Sequence, residues 1–206
     1  MSVPPISEPR SLPSGLPAAD PRQRLIEGMA AAVAARGYAA TTVADVVREA
    51  GVSKRTFYEH FTAKEPCFLA LYDLVSRRGL AAMQAAIDPA APWPSQVADG
   101  LAAWFAWLAR APHLLRPMFI ELPALGEAGL SARRRAMRAL TDYLLTRARA
   151  TSGHAELSPE IALAIVGGIN ELIVVTIEEG RLDRIGELAS TAQRLVSLAT
   201  RPGAPR

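Results

Sequence analysis

Apolar residues recur every three or four positions through the body of this chain. Leu25, Met29 and Val33 form one such stripe, which ends before Gly37. The spacing matches the repeat of an α-helix, and no glycine-bounded run alternates Val, Ile and Thr with polar residues as a half-buried strand does. Because 50% of the 206 residues are hydrophobic, the chain can also bury a core. The pattern therefore predicts an all-α protein.

Cap residues mark where the helices begin. Asp20 before Pro21 is an N-cap followed by a first-turn proline. Thr42 and Asp45 have the spacing of a capping box, and Ser53 can cap a third helix. We predict later helices over 64–87, from Ser95, over 130–150, from Ser158 to about Glu179 and from Asp183, with Pro112, Pro117 and Pro123 breaking the stretch before Leu130 into short or kinked pieces.

The second and third helices have the layout of a helix-turn-helix. Both are short, and a turn at 50–53 joins them. Phe57 and Phe61 are four residues apart and are expected to bury one side of the third helix, which leaves Lys54 and Arg55 on its outer leading edge. A recognition helix enters the major groove with its first turn towards the bases. The sequence therefore predicts a DNA-binding face here.

This segment closely resembles the DNA-binding domain of the TetR family of transcriptional regulators. The resemblance is carried by TTVADVVREAGVSKRTFYEHF at 41–61, followed by Lys64 and Glu65. It covers about residues 22–75, and in the rest of the chain only the number and order of helices agree. It implies an N-terminal three-helix helix-turn-helix DNA-binding domain at 22–68 and a larger helical ligand-binding and dimerisation domain at 69–200, with about nine helices.

Arg55 is the residue that we expect to read bases. Lys54 and Arg55 carry donors that suit the acceptors of guanine, and Arg can offer two parallel hydrogen bonds. Glu59, further along the same helix, has two open roles: it can accept from the amino group of cytosine, or it can repel phosphate. Residues 22–64 hold seven Arg or Lys and four Asp or Glu, so the segment is basic, as is the chain with its net charge of +3.

Five further side chains are expected at the phosphate backbone of double-stranded DNA. The hydroxyls of Thr42, Thr56 and Tyr58 can donate to phosphate, and the amides at the start of the second helix favour an anion. The resemblance implies that Lys64 and His60 contact the backbone too. Packing or capping is an equally open role for His60, and Tyr58 can instead cover the hinge between the third and fourth helices.

The larger domain contains aromatic and polar residues that suit an effector pocket. The resemblance implies a cavity there for a small apolar or aromatic effector, although such residues also form ordinary core. Asn170 shares a helix face with Val166 and Val174, so its amide needs either a ligand or a hydrogen bond across a helix interface. The candidate pocket residues are Trp104, Phe105, Leu108, Met118, Phe119, Tyr143 and Asn170.

A homodimer is predicted from the apolar helix at 161–177. Because this helix is apolar nearly all round, both of its sides should be covered, one of them by a second copy. A two-fold dimer carries two recognition helices and implies a palindromic operator. The candidate interface residues are Gly167, Gly168 and Glu171 on this helix and Leu188, Ala192 and Leu195 on the last.

Other features argue against a membrane or secreted protein. The proline-rich arm at 1–21 lacks the apolar stretch of a signal peptide, and the tail at 201–206 is expected to be flexible. The apolar helix is interrupted by Asn170 and Glu171, so we interpret it as a core helix. The single cysteine, Cys67, fits a reducing compartment and is expected to be inert. We expect a cytoplasmic protein.

The function expected from these features is a ligand-responsive transcriptional regulator, most simply a repressor. The sequence has no nucleophile elbow, phosphate-binding loop or dinucleotide fingerprint, so an enzyme is not expected. The three histidines are scattered, and we predict neither a metal site nor a cofactor. The alternative is a dimeric architectural or protein-binding module in which Lys54 and Arg55 are only surface charges.

Overall fold

A computed structural model describes residues 20–151 and 157–201. Its described elements are helical, which confirms the predicted all-α class. Most of the predicted arm at 1–21 and of the tail at 201–206 lies outside the described residues. The helices are α1 Pro21–Ala40, α2 Val43–Ala50, α3 Lys54–His60, α4 Lys64–Ala86, α5 Trp93–Ala109, α6 Pro112–Arg116, α7 Glu127–Ala150, α8 Pro159–Glu178 and α9 Leu188–Ala199.

The chain divides into two compact units between Leu71 and Tyr72. The first unit holds α1, α2, α3 and the start of α4, and the second holds the rest of α4 and all later helices. We expected this boundary slightly earlier, between residues 68 and 69.

The first unit is built on the close crossing of α1 and α2. Leu25, Met29 and Val33 are buried as their spacing predicted. A Cβ atom placed on Gly28 would lie 2.6 Å from the carbonyl oxygen of Val46, which is nearer than real Cβ atoms approach. Glycine at this position therefore lets the two backbones approach each other.

The core of the second unit joins α5, α8 and α9. Phe105, Ile173 and Ile185 are fully buried there. The indole of Trp93 donates a hydrogen bond to the hydroxyl of Thr200 over 2.8 Å, which links the start of α5 to the end of α9.

Prolines break the chain between α5 and α7, as predicted. Pro112 begins α6, Pro117 begins a π-helix at Pro117–Glu121, and Pro123 lies in a 3-10 helix at Leu122–Leu125. A proline lacks the amide hydrogen that a continuous helix needs, so each one favours a new start. The π-helix places Met118 in a buried position.

Three predicted helix starts were wrong. α5 begins at Trp93, because the carbonyl of Pro92 accepts hydrogen bonds from the amides of Ser95 and Gln96, so Ser95 lies within the helix. α7 begins at Glu127, before Leu130. Asp183 lies in a separate 3-10 helix, Leu182–Glu187, which precedes α9.

Helix α8 is long and apolar enough to cross a bilayer by length and composition. One face, which includes Ala162, Ile165 and Ile173, packs in the core of the second unit. A core helix meets the same criterion of length and composition, so this criterion alone does not identify a membrane span. Ile161 and Leu163 are about half exposed within the single chain.

Candidate functional site

The turn between α2 and α3 is held at both ends. Gly51 has φ +61°, a left-handed conformation that ends α2. The guanidinium of Arg24 in α1 donates to the carbonyl oxygen of Gly51 over 2.7 Å. Ser53 then caps α3 by accepting from the amide of Thr56, as predicted. These contacts set the direction in which α3 leaves α2.

Asp45 is the polar centre of the first unit. Its carboxylate accepts from the amide and hydroxyl of Thr42 over 3.0 and 2.6 Å, which completes the predicted capping box. It also pairs with Arg36 and Arg48, each over 3.0 Å. The hydrogen bonds from Thr42, with smaller contributions from the two arginines, lower the pKa of Asp45 to about 2. The carboxylate is therefore ionised at neutral pH and holds α1 and α2 together.

The inner side of α3 is apolar and its outer side is open. Phe57 is fully buried and Phe61 is nearly so, which confirms the predicted packing face. The guanidinium carbon of Arg22 lies 5.2 Å from the centre of the Phe61 ring, within the range of a cation–π contact. Tyr58 is 58% exposed and contacts Phe57 edge to face, with 5.4 Å between ring centres.

Arg55 is presented outwards by a neighbour on its own helix. Its side chain is 91% exposed, and its Nε donates to the carboxylate of Glu59 over 3.2 Å. Neither Nη group has a partner among the described residues, so both Nη atoms can donate hydrogen bonds to a base. Lys54 and His60 are exposed on the same helix. The structure thus gives Glu59 a contact that neither of its two expected roles included.

Both threonines that were expected at phosphate make hydrogen bonds within the first unit. The hydroxyl hydrogen of Thr42 is donated to Asp45, so this hydroxyl cannot also donate to phosphate while the capping box is formed. The hydroxyl of Thr56 lies 2.9 Å from that of Ser53, and either can be the donor. The backbone amides at the start of α2 therefore suit a phosphate better than the Thr42 side chain does.

Lys64 has a different position from the one that the resemblance implied. Its ammonium group donates to the carbonyl oxygens of Tyr38, Ala39 and Thr41 over 3.1, 3.2 and 2.9 Å. An ammonium group has three hydrogens, so these contacts satisfy it completely. Lys64 is a cap for the C-terminal end of α1 in this conformation, and its expected phosphate contact would require these bonds to break.

Two neighbouring cavities lie among the described helices of the second unit. The larger, of about 310 Å³, is lined by Trp104, Leu108, Met118, Phe119 and Asn170, all predicted pocket residues. The smaller, of about 80 Å³, is lined by Tyr143 and shares Trp104 with the larger. The prediction was wrong for Phe105, which lines neither cavity because it is fully buried in the core.

Part of the cavity wall was not predicted. Helix α4 contributes Tyr72, Asp73, Ser76, Arg77 and Leu80 to the larger cavity. Their spacing of about one helical turn places them on one side of α4, and this spacing was the available sequence signal. Polar residues with this spacing more often lie on a solvated face, so the spacing alone does not identify a cavity wall.

A buried amide supports the wall of the smaller cavity. Gln96 is 2% exposed, and its Nε2 donates to the carbonyl oxygens of Pro89 and Ala91 over 3.2 and 2.8 Å. Its Oε1 accepts from Nε and Nη2 of Arg147 over 3.2 and 2.6 Å. This pair is not predictable from spacing within a helix, because 51 residues separate its members.

The residues predicted for a dimer interface lie in different environments. Gly167, Gly168, Leu188 and Leu195 are partly exposed, and Glu171 is exposed. Ala192 is fully buried in the core of its own chain, so it has no surface to offer a partner, and its assignment was wrong.

The acid, histidine and cysteine side chains do not form a cation site in the described part of the chain. Within residues 20–151 and 157–201, no three of them lie close enough together to bind a metal ion. Cys67 is fully buried, and burial raises the pKa of its thiol to about 12, so the thiol is protonated at neutral pH.

Comparison with known proteins identifies the first unit. The family described as bacterial regulatory proteins, tetR family, matches residues 25–71, which include the whole helix-turn-helix. No curated protein sequence gives a significant match.

Solved structures resemble the chain over most of its length. A bacterial regulatory protein in the tetR family from Rhodococcus RHA1 is 19% identical, with a TM-score of 0.68, and the match covers 91% of this chain and 100% of that one. The fatty acid degradation regulator FadR from Bacillus halodurans is 18% identical, with a TM-score of 0.73 and coverage of 88% and 96%. FadR from Bacillus subtilis in complex with stearoyl-CoA is 19% identical, with a TM-score of 0.68 and coverage of 84% and 96%.

At these identities the solved structures establish the fold of both units. The family match over residues 25–71 coincides with the segment in which Asp45 joins α1 to α2 and Arg55 is presented outwards. Residues 25–71 therefore form a DNA-binding domain of the tetR family of bacterial regulatory proteins, and the chain is a DNA-binding transcriptional regulator.

Proposed function

We propose that the chain is a homodimeric repressor which a small effector with an apolar or aromatic body releases from a palindromic operator. The observation that carries this proposal is the cavity of about 310 Å³ in the second unit, a size typical of small-molecule sites. Its wall includes Tyr72, Ser76 and Leu80 of α4. The same helix begins at Lys64 in the DNA-binding unit.

This shared helix supplies a route for regulation. An effector acts by binding one conformer more tightly than another, so a ligand that favours a shifted α4 favours a conformer that no longer fits the operator. FadR from Bacillus subtilis has been solved in complex with stearoyl-CoA, which supports a ligand-binding role for this fold. A repressor that binds chromosomal DNA would act in the cytoplasm.

The π-helix at Pro117–Glu121 is our candidate for the part of the wall that moves. It contributes Met118 and Phe119 to the larger cavity. π-helical turns are rare and occur often at functional sites. We expect Pro117→Ala to reduce the effect of an effector on DNA release, and an unchanged response in gel shifts would remove this segment from the mechanism.

The proposed dimer interface is the exposed face of α8 and α9. Ile161, Leu163 and Val175 on α8 are 47%, 50% and 39% exposed, and Leu198 on α9 is 57% exposed. A Cβ atom on Gly167 would meet no atom within 4 Å in its own chain, which leaves room for a partner helix. Exposure of such an apolar surface to water is unfavourable, and a second copy of the chain would cover it.

Charge placed on this face tests the dimer. Leu163→Glu should shift the chain towards monomer in analytical ultracentrifugation, because the dimer would bury an unpaired carboxylate. Leu130→Glu is the matched control, since Leu130 is 41% exposed on α7, outside the proposed interface. A monomeric wild-type protein, or equal effects of the two variants, would overturn the dimer.

Selection of bound DNA sequences tests the DNA-reading role. Wild-type protein should enrich a palindromic sequence, and a gel shift on the region upstream of its own gene is the simplest first trial. Arg55→Ala should relax base preference by about 1–3 kcal/mol at one position of each half-site. Glu59→Gln should have a smaller effect at the same position, because the carboxylate only orients Arg55. Binding without any base preference would instead indicate an architectural module.

A further inference from the structure

We infer that the effector of the larger cavity is an amphipathic acid whose carboxylate or phosphate group binds Arg135 and Arg77. This inference rests on the proposed function, because it specifies the chemical class of the ligand that would occupy the same cavity. It follows from the charges in the cavity wall, their incomplete pairing and the apolar character of the remaining wall.

The charged side chains of the wall have an excess of one positive charge. Among the described residues, Arg77 and Arg135 line the cavity, and Asp73 is the one acidic residue that lines it. Arg77 makes no hydrogen bond or ion pair with another described residue. Asp73 and Arg77 are four residues apart on α4, so they lie on the same side of the helix, one turn apart. The two arginines and Asp73 therefore form one charged cluster at the α4 and α7 part of the wall.

Arg135 is only weakly held by its neighbours. Its Nη2 lies 3.4 Å from the carboxylate of Asp73, and its Nη1 lies 3.3 Å from the hydroxyl of Ser131. Charge-assisted hydrogen bonds between arginine and a carboxylate are normally 2.7–2.9 Å long. The planar guanidinium thus keeps unused donors that suit a carboxylate or phosphate oxygen.

A neutral phenol lies near Arg135 in the wall of the same cavity. Burial raises the pKa of Tyr72, while the hydroxyl of Ser76 and the positive charges of Arg133 and Arg135 lower it by less. Tyr72 therefore keeps its proton at neutral pH and can donate a further hydrogen bond to an anion.

The rest of the wall suits an apolar body. Trp104 and Trp107 of α5 and Met118 and Phe119 of the π-helix line the same cavity. A ligand with a charged group at one end and a hydrocarbon or aromatic body would satisfy both parts of the wall. A wholly apolar ligand would leave Arg77, which has no ion pair among the described residues, without an anionic partner.

An acidic ligand would also compete with Asp73. The contact between Asp73 and Arg135 is the one ion pair that joins α4 to α7 in the described part of the chain. A ligand anion that binds Arg135 displaces Asp73 and repels it, because the two negative charges then lie close together. This exchange favours movement of α4 away from α7 and links binding of the acid to the helix shared with the DNA-binding unit.

Calorimetric titration of the full chain without DNA tests the inference. The probes are decanoic acid, decyl phosphate and decanol, together with phenylbutyric acid and phenylbutanol as an aromatic pair. At least one acid should bind about tenfold or more tightly than its matched alcohol, as expected for charge-assisted hydrogen bonds. Preference for decyl phosphate over decanoic acid, or the reverse, would identify the headgroup.

Three variants assign the preference to the charged cluster. Arg135→Gln should weaken acid binding about tenfold and leave alcohol binding within about twofold. Asp73→Asn should tighten acid binding, because it removes the competing carboxylate. Arg138→Gln is the matched control: it removes an exposed charge from α7 that does not line the cavity. Circular dichroism checks that each variant is folded.

The outcomes separate this inference from the proposed function. If alcohols bind as tightly as acids, if no acid binds, or if Arg135→Gln and Arg138→Gln behave alike, the acidic ligand is overturned. If acids bind as expected but do not release DNA in gel shifts, the inference stands and the proposed repressor mechanism fails. If an alcohol both binds as well as its acid and releases DNA, the repressor mechanism stands and the acidic ligand fails.

Discussion

The two units of this regulator use polar side chains in different ways. In the DNA-binding unit, polar groups close helix ends and turns: Asp45 completes a capping box, Arg24 binds the turn carbonyl of Gly51, and Lys64 caps α1. In the second unit, most of the core is apolar and two cavities remain among the helices. The first arrangement suits a surface that must keep one shape against DNA, and the second suits a volume that a ligand can fill.

The largest loss of stability is expected where α1 and α2 of the first unit leave no space for a further side-chain atom. Gly28→Ala should destabilise it by about 1–3 kcal/mol, because the new Cβ would overlap the carbonyl of Val46 and the backbone of Ala50. The measurement is urea unfolding followed by circular dichroism. Gly186→Ala in the second unit is the control, since its Cβ would meet no atom within 4 Å. Equal effects of the two variants would contradict the close crossing of α1 and α2.

A comparable loss of stability is expected in the second unit when the buried side-chain amide of Gln96 is removed. Gln96→Leu should cost about 1–2 kcal/mol, because it leaves Arg147 and the carbonyls of Pro89 and Ala91 without their partner. Gln193→Leu is the control, as Gln193 makes no hydrogen bond to another described residue, and it should stay within about 0.5 kcal/mol of wild type. If Gln96→Leu is neutral in thermal unfolding, polar contacts matter less in this unit than we conclude.

Lys64→Met should have a smaller effect, of about 1 kcal/mol in urea unfolding, because the ammonium group is only partly buried. The variant also distinguishes the two roles of this residue. If Lys64 caps α1, the variant and the wild type should show the same slope of log K against log salt. If Lys64 binds a phosphate, this negative slope should become shallower by about 0.9 in the variant. A lower slope without a loss of stability would show that the resemblance assigned Lys64 correctly.

The smallest predicted change in stability occurs at acid pH and involves Asp45. Because the pKa of Asp45 is lowered to about 2, its stabilising contribution is complete above its unfolded pKa of about 3.9 and is lost as the pH falls towards 2. Asp45→Asn should therefore remove part of the loss of stability between about pH 4 and pH 2, as measured by thermal unfolding. Parallel losses in wild type and variant over this range would show that Asp45 does not contribute.

Prediction from sequence succeeded where neighbours in the chain decide the structure. The capping box of Thr42 and Asp45 and the burial of Phe57 and Phe61 depend on residues three or four positions apart. It failed where a distant segment decides. Phe105 and Met118 were equally plausible pocket residues, and only the packing of the helices separates core from cavity wall.

The sequence by itself determined the helical class, the helix-turn-helix and the family of the DNA-binding domain, because these depend on local periodicity, caps and a recognisable run of residues at 41–61. The tertiary structure alone decided that Lys64 is satisfied by the end of α1, that Gln96 holds Arg147, and that the arginines of α4 and α7 line a cavity. Those contacts join residues far apart in the chain. Their partners depend on how helices pack, which the spacing of residues within one helix does not specify.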